Sequence, residues 1–182
     1  GYAIAKSFRD NGFETTLISG ETNLNPINGV KLISVKTAEE MFKETLDNLP
    51  VDVAVFSAAV ADYKIKNYKD EKIKKTENLN LILEKNIDII SHVSKHNKLR
   101  PKLTIGFAAE TNNLYENSLK KLEEKNCDWI IANDISNKEI GFDSDDNEVS
   151  IFYKDKSNEK LNKMSKSLIA SEIVNRIIAK LN

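Results

Sequence analysis

Polar side chains follow short apolar runs at three places in this sequence, each time after residues with small side chains. Asp62 follows the first run, Glu110 the second and Asn133 the third. Small side chains let a ligand approach the backbone, and the polar residue beyond them can fix its orientation. Helix capping explains any one of these residues equally well. The three together indicate a single ligand-binding edge.

A lysine-rich segment comes directly after the first of these positions. Residues 64–75 contain six lysines, against only Asp70 and Glu71 as acids. A lysine run is usually a solvated face, but beside a ligand-binding edge its ammonium groups would meet phosphate. A nucleic-acid surface is usually wider and interleaved with aromatic residues, and the net charge of -1 supplies no such field. The segment therefore predicts phosphate binding and no nucleic-acid partner.

Two residue pairs have the i,i+4 spacing that places side chains on one side of a helix. Lys121 and Lys125 either form a solvated face or reach toward a ligand. His92 and His96 have a metal-binding spacing, but no third ligand accompanies them, so we predict no metal site there. Cys127 has no histidine near it in sequence, which predicts a structural thiol and not a nucleophile.

The composition is that of an ordinary globular protein, with 40% hydrophobic and 30% charged residues among 182. This length predicts one domain over residues 1–182. A single cysteine excludes an internal disulfide and fits a reducing compartment. The sequence has no signal peptide and no apolar run of about 20 residues. We therefore expect a cytoplasmic protein without a membrane partner.

The elements that must position the polar residues alternate between strands and helices. The apolar runs 51–59, 103–109 and 128–133 predict parallel strands buried on both faces, and 148–153 predicts an edge strand. Helical patterns separate these runs, so the fold class predicted is α/β, a three-layer Rossmann-like open and mostly parallel sheet with helices on both faces. In such sheets ligands bind beyond the carboxyl ends of the strands.

The chain opens inside a predicted helix over residues 2–11, where a dinucleotide-binding sheet would begin with a strand and a Gly-rich turn. We therefore expect that the first strand and the Gly-rich loop are missing and that the chain is truncated at its N-terminus. An NAD(P)-dependent oxidoreductase would also need an acidic residue after the second strand, where Ser19 and Gly20 stand and Glu21 is only close. A non-catalytic nucleotide-binding or dimerisation module is a third hypothesis.

Seven short motifs occur in order along the chain: GYAIA at 1–5, AAVADY at 58–63, EKIKK at 71–75, NIDI at 86–89, GFAAET at 106–111, ANDIS at 132–136 and GF at 141–142. Together they resemble the phosphopantothenate–cysteine ligase family, the synthetase half of the bifunctional coenzyme A biosynthesis flavoprotein. The resemblance covers essentially the whole chain. Each motif alone is a weak signal, whereas the ordered set is a strong one.

The resemblance implies a CTP-dependent ligase of coenzyme A biosynthesis. The carboxylate of 4'-phosphopantothenate would attack the α-phosphate of CTP to form an acyl-cytidylate and pyrophosphate, and the amine of cysteine would then displace CMP. Attack of an anion on a triphosphate needs positive charge, which lysines and Mg²⁺ supply. The family also implies a homodimer and, in the full-length protein, a fused flavin-dependent decarboxylase. The sequence leaves the choice between CTP and ATP open.

Carried over position by position, the resemblance makes Lys72 the catalytic residue, acting on the triphosphate and the activated intermediate. Asp62 would contact the nucleotide and help to place the metal, and Asn133 would contact substrate. The other nucleotide-binding positions implied are Ala58, Ile87, Asp88, Ile89, Ile90, Phe107, Lys121 and Lys125. Two departures count against full activity of the chain as given: the family usually has proline in place of Ile87, and its Gly-rich loop and asparagine are expected before Gly1.

Overall fold

The computed structural model describes residues 1–67, 71, 80–110, 112–134 and 146–182. Five helices and nine strands occur within these residues. In chain order they are α1 (Tyr2–Asp10), β1 (Thr16–Ser19), β2 (Lys31–Ser34), α2 (Ala38–Asp47), β3 (Val53–Phe56), β4 (Tyr63–Ile65), β5 (Leu83–Lys85), α3 (Ile89–Ser94), β6 (Leu103–Glu110), α4 (Leu114–Lys125), β7 (Trp129–Asp134), β8 (Asp146–Tyr153), β9 (Asn158–Ser165) and α5 (Lys166–Leu181).

The strands form one large sheet, one parallel pair and one separate ribbon. The large sheet has the order β3-β6-β7-β8-β9. Strands β3, β6 and β7 run parallel, β8 is antiparallel to β7, and β9 is antiparallel to β8. Strands β1 and β2 form a parallel pair, and β4 and β5 form a two-stranded antiparallel ribbon. The prediction of an α/β fold with a mostly parallel sheet is confirmed.

Helices cover both faces of the large sheet, as predicted. On one face α1 and α5 pack against β6 and β7, and the isoleucines at the centre, such as Ile105 and Ile173, are fully buried. On the other face α3 and α4 place Ile90 and Leu122 against Ile130. Each buried side chain of this size stabilises the fold by about 1.5–3 kcal/mol relative to an exposed one. The three layers therefore hold the sheet from both sides.

Local signals in the sequence explain where the helices begin. Thr37 and Glu40 form the capping box of α2, in which the Thr37 side chain accepts from the Glu40 backbone N–H. Asp88 accepts from the Ser91 backbone N–H at the start of α3, and Ser165 accepts from that of Leu168 at the start of α5. None of the helices in the described part of the chain combines the length and the apolarity that a bilayer crossing demands.

Two predictions about the sheet were wrong. The strand predicted at 148–153 is not at the edge, because β9 pairs along its outer side. The sequence of β9 is mostly polar and buries only Leu161, so no apolar pattern reveals it. The strand predicted at 51–59 is shorter and only half-buried, because β3 pairs with β6 alone among the described strands.

A trough separates β1 from β3. These strands make no ladder with one another in the described part of the chain, and residues of both, including Leu17, Ile18, Val53 and Val55, line one cavity. Gly1 at the start of α1 lies beside the Ser57 hydroxyl at the carboxyl end of this trough. The expected missing first strand and Gly-rich loop stay a prediction.

Gly106 in β6 allows α3 to approach the sheet closely. A Cβ atom at this position would lie 2.7 Å from Ile90 Cδ1 and 2.9 Å from Ile130 Cδ1, closer than packed carbon atoms tolerate. Ile90 belongs to the segment predicted to bind nucleotide. The missing side chain of Gly106 thus decides how near that segment lies to the carboxyl ends of the strands.

Gly106→Ala should destabilise the fold, because Ile90 and Ile130 must both move to admit the methyl group. We expect a loss of about 1–3 kcal/mol in the free energy of unfolding, measured by urea denaturation. Gly20→Ala is the matched control, since a Cβ there meets nothing within 4 Å and its φ is not positive. Equal stability of the two variants would contradict this account of the packing.

Candidate functional site

The parallel pairing of β3, β6 and β7 brings three strand ends to one edge of the sheet. Phe56, the last residue of β3, is level with Gly106, and Gly106 with Ile130, and β6 and β7 continue in the same direction to Glu110 and Asp134. A cavity of about 720 Å³ opens at this edge and continues down the trough. Nine of the predicted site residues line it: Ala58, Asp62, Ile87, Asp88, Ile89, Ile90, Phe107, Lys121 and Lys125.

One wall of the cavity is the turn after β3, and the opposite wall is the segment between β5 and α3. Ala58 and Asp62 are exposed on the first wall, and residues 87–90 form the second. Asn86 joins the two walls. Its backbone N–H donates to the Asp62 carbonyl oxygen at 2.8 Å, and its side-chain Nδ2 donates to the Ala61 carbonyl oxygen, also at 2.8 Å.

Asp88 is bonded both to its own helix and to α4. Its carboxylate caps α3 by accepting from the backbone N–H and the hydroxyl of Ser91, and Lys125 Nζ donates to it at 2.9 Å. Burial alone would raise the pKa of Asp88, but the hydrogen bonds from Lys125 and Ser91 outweigh it and hold that pKa below its usual value. Asp88 is therefore a carboxylate at neutral pH and fixes Lys125 at the cavity.

Lys121 is held in a similar way by Glu110 at the end of β6. The Lys121 Nζ lies 2.5 Å from Glu110 Oε1, and the Glu110 side chain is only 12% exposed. Asn117 Nδ2 donates to the other carboxylate oxygen at 3.1 Å. Since Glu110 Oε1 has no hydrogen bond of proper geometry, the contact with Lys121 is a close ion pair. Glu110 thus positions the ammonium group at the cavity wall.

Lys121 and Lys125 are consequently fixed in position and add little net positive charge to the cavity. Each is paired with a carboxylate, Lys121 with Glu110 and Lys125 with Asp88. Lys64, at the start of the lysine-rich segment, also lies near acids, 3.5 Å from Glu84 and 3.9 Å from Glu39. A triphosphate in this cavity would therefore need further positive charge, from other lysines or from a metal ion.

Asp62 suits a magnesium ion only when a nucleotide supplies further ligands. Within the described ranges no group of three or more His, Cys, Asp or Glu side chains could hold a metal ion. Mg²⁺ usually takes one or two carboxylates together with substrate phosphates, and one exposed carboxylate at the cavity fits that role. His96 Nδ1 accepts from the backbone N–H groups of Lys98 and Leu99, which favours a structural role.

Of the two remaining predicted site residues, only Asn133 is described, and it does not line this cavity. Lys72 lies outside the described residues, and the lysine-rich segment is described only in part. Asn133 is half-buried on β7, is not among the cavity-lining residues, and has an Oδ1 without a hydrogen-bond partner among the described residues. Cys127 is buried, and that burial raises the pKa of its thiol to about 12, in keeping with a structural thiol.

The sequence did not single out Asn86, and it placed Glu110 at the ligand-binding edge without predicting the contact of Glu110 with Lys121. Both stand inside motifs that carry the family resemblance, NIDI for Asn86 and GFAAET for Glu110. Their contacts bridge residues far apart in sequence, 25 positions for Asn86 and Ala61. No local pattern reports such contacts, so the sequence gives no sign of them beyond the place of Asn86 and Glu110 inside these motifs.

Comparisons with known proteins agree on one family. The family model of the DNA/pantothenate metabolism flavoprotein C-terminal domain matches residues 1–181. The bifunctional coenzyme A biosynthesis protein CoaBC of Haemophilus influenzae is 40% identical over 180 residues, which are 98% of this chain and 44% of that protein. The chain therefore spans less than half the length of this curated relative.

Solved structures agree with this match. The crystal structure of the C-terminal domain of a CoaBC protein has a TM-score of 0.80 and 35% identity, covering 100% of this chain and 81% of the other. A Cab2 variant in complex with phosphopantothenate-cysteine has a TM-score of 0.76, covers 99% and 76% of the two chains, and at 15% identity shows a likeness of fold alone. This chain belongs to the family of DNA/pantothenate metabolism flavoprotein C-terminal domains.

Proposed function

We propose that this chain is a phosphopantothenate–cysteine ligase domain that spans residues 1–182 and uses CTP. The carboxylate of 4'-phosphopantothenate attacks the α-phosphate of CTP, which releases pyrophosphate and leaves an acyl-cytidylate. The amine of cysteine then forms the amide and displaces CMP. Membership of the family and the bifunctional relative in coenzyme A biosynthesis support this reaction. Because that relative is bifunctional, it also supports a fused flavin-dependent decarboxylase in the full-length protein.

The observation that carries the proposal is the convergence of nine predicted nucleotide-binding residues on one cavity. They come from four separate stretches of sequence, and only the parallel sheet brings them together. The whole cavity, with the trough included, has a volume of about 720 Å³, and small-molecule sites have about 300–1,000 Å³. A nucleotide lying across the strand ends would have residues 87–90 on one side and Ala58 and Asp62 on the other.

Two sets of lysines would have different roles toward the triphosphate. Lys121 and Lys125 are held by Glu110 and Asp88, so they offer ammonium groups at fixed places for the phosphates. The surplus positive charge would come from the lysine-rich segment, which includes Lys72. Mg²⁺ bound with the triphosphate at Asp62 would supply the remaining charge. Preorganised positive groups of this kind stabilise the charge that develops in the transition state.

An NAD(P)-dependent oxidoreductase is the second candidate, and the described residues favour it less. Such an enzyme holds the ribose with an acidic side chain at the end of the second strand. If the first strand is missing as expected, β1 corresponds to that second strand. It ends at Ser19, and neither Gly20 nor Glu21 lines the cavity. A non-catalytic nucleotide-binding module would keep the same cavity, so only turnover separates it from the ligase.

The direct test mixes the protein with CTP, Mg²⁺, 4'-phosphopantothenate and cysteine, and measures pyrophosphate and the amide product. Lys72→Gln should lower the rate about 100-fold or more, because it removes a positive charge from the transition state. Lys163→Gln is the control. Lys163 is exposed on β9, so this substitution removes the same charge at a place away from the cavity. It should leave the rate unchanged.

One result would contradict the role of Lys72, and two others would contradict the ligase. Equal rates for Lys72→Gln and the wild type would remove Lys72 from the mechanism. Absence of CTP-dependent product together with tight binding of NAD would replace the ligase with the oxidoreductase. Saturable CTP binding without turnover would instead support the non-catalytic module.

We propose further that the protein forms a homodimer through the ribbon of β4 and β5. Ile65 and Leu83 are directly opposite one another and Tyr63 is on the same face, and they are 42%, 58% and 53% exposed. The ribbon pairs with no other described strand, and an isolated two-stranded ribbon is at best marginally stable in water. A second copy related by twofold symmetry would bury the same apolar face from both subunits.

Leu83→Glu should dissociate this dimer, because it would bury an unpaired carboxylate in the interface. Leu168→Glu is a matched control, since Leu168 on α5 is 58% exposed as well and an acid in the first turn suits a helix. Sedimentation velocity would measure the mass of both variants. A monomeric wild type, or equal dissociation of both variants, would show that the ribbon is not a dimer interface.

A further inference from the structure

We infer that Asn86 is a positioning residue that sets the nucleobase preference of the cavity by fixing the distance between its two walls. The inference rests on the proposed use of CTP. Asn86 itself lines the cavity, and the effect assigned to it acts through the two walls that it ties together. Its basis is the pair of hydrogen bonds, 2.8 Å each, from the Asn86 backbone and side chain to the carbonyl oxygens of Asp62 and Ala61.

Asn86 closes a long excursion of the chain. The turn at Ala61 and Asp62 leads into β4, and β5 leads back to Asn86, so the ribbon and everything between its strands start and end at this point. The ladder of the ribbon begins one residue further along each strand, at Tyr63 and Lys85. Asn86 therefore supplies the last cross-link between the two walls before they separate to form the cavity.

The wall formed by residues 87–90 is held at its other contacts by different means. Asp88 is bonded to Lys125 on α4, and Ile90 packs against β6 where Gly106 leaves room. These two contacts fix the wall to α4 and to the sheet. The side-chain bond of Asn86 adds a tie to the turn that carries Ala58 and Asp62. The Ile87 side chain is 53% exposed, so the anchors on either side of it hold this part of the wall.

Base preference is the property that such a tie would control. Residues 87–90 are three isoleucines and an aspartate that is already paired with Lys125, so this wall suits the base and not the phosphates. Cytosine and adenine differ in size and in the positions of their donors and acceptors, so a wall that contacts them through backbone groups must keep its distance to within a fraction of an ångström. The triphosphate is common to CTP and ATP and interacts with the lysines alike in both. A change confined to the position of residues 87–90 should therefore alter the ratio of the two affinities.

The test measures dissociation constants of CTP and ATP, each with Mg²⁺, by calorimetry for the wild type, Asn86→Ala and Asn86→Asp. Loss of one hydrogen bond should weaken CTP binding about five- to tenfold and ATP binding by no more than about twofold, so that the affinity ratio moves toward one. Asn86→Asp adds a negative charge that repels both triphosphates equally, which leaves the ratio as the informative quantity.

Asn162→Asp is the matched control, because Asn162 is exposed on β9 and lies away from the cavity. Thermal unfolding of each variant separates a positioning role from a structural one, since a structural role would lower the melting temperature without changing the ratio. An unchanged ratio in Asn86→Ala, with CTP still bound, would overturn this inference alone. A wild type that binds neither nucleotide would overturn the proposed function and this inference with it.

Discussion

The candidate site depends on the parallel pairing of β3, β6 and β7. Parallel strands in register deliver their carboxyl ends to one edge, and the predicted site residues of the cavity lie at these ends, in the segment before α3, or on α3 and α4. The apolar faces of α1 and α5 on one side and α3 and α4 on the other hold that register. A slip of one residue would exchange the side chains that face the two helix layers and would misalign the strand ends.

Ties between the walls refine what the sheet has brought together. Asn86 links the turn after β3 to the segment before α3, Asp88 links that segment to Lys125, and Glu110 links the end of β6 to Lys121. Each tie joins two elements that line the cavity, and the two ion pairs also fix an ammonium group there. The same contacts thus contribute to the stability of the edge and to the order of a nucleotide site.

Much of the fold could be predicted from sequence because it follows local patterns. The apolar runs 103–109 and 128–133 predicted buried strands, and β6 and β7 confirm both predictions. Strand β9 was not predicted, because its side chains are mostly polar and show no apolar pattern. Its pairing with β8 is seen only in the structure. The site residues came from family motifs, whereas Asn86 and Glu110 act through contacts between distant stretches that no local pattern encodes.

Hydrogen exchange of the backbone amides, with and without CTP and Mg²⁺, tests most directly whether this edge is the nucleotide site. A bound nucleotide shields and stiffens the walls that it touches. We expect slower exchange at residues 57–62, 86–90 and 121–125 when CTP is added, with no change in β8 and β9. Slower exchange confined to other parts of the chain, or the same pattern produced by NAD at lower concentration, would contradict it.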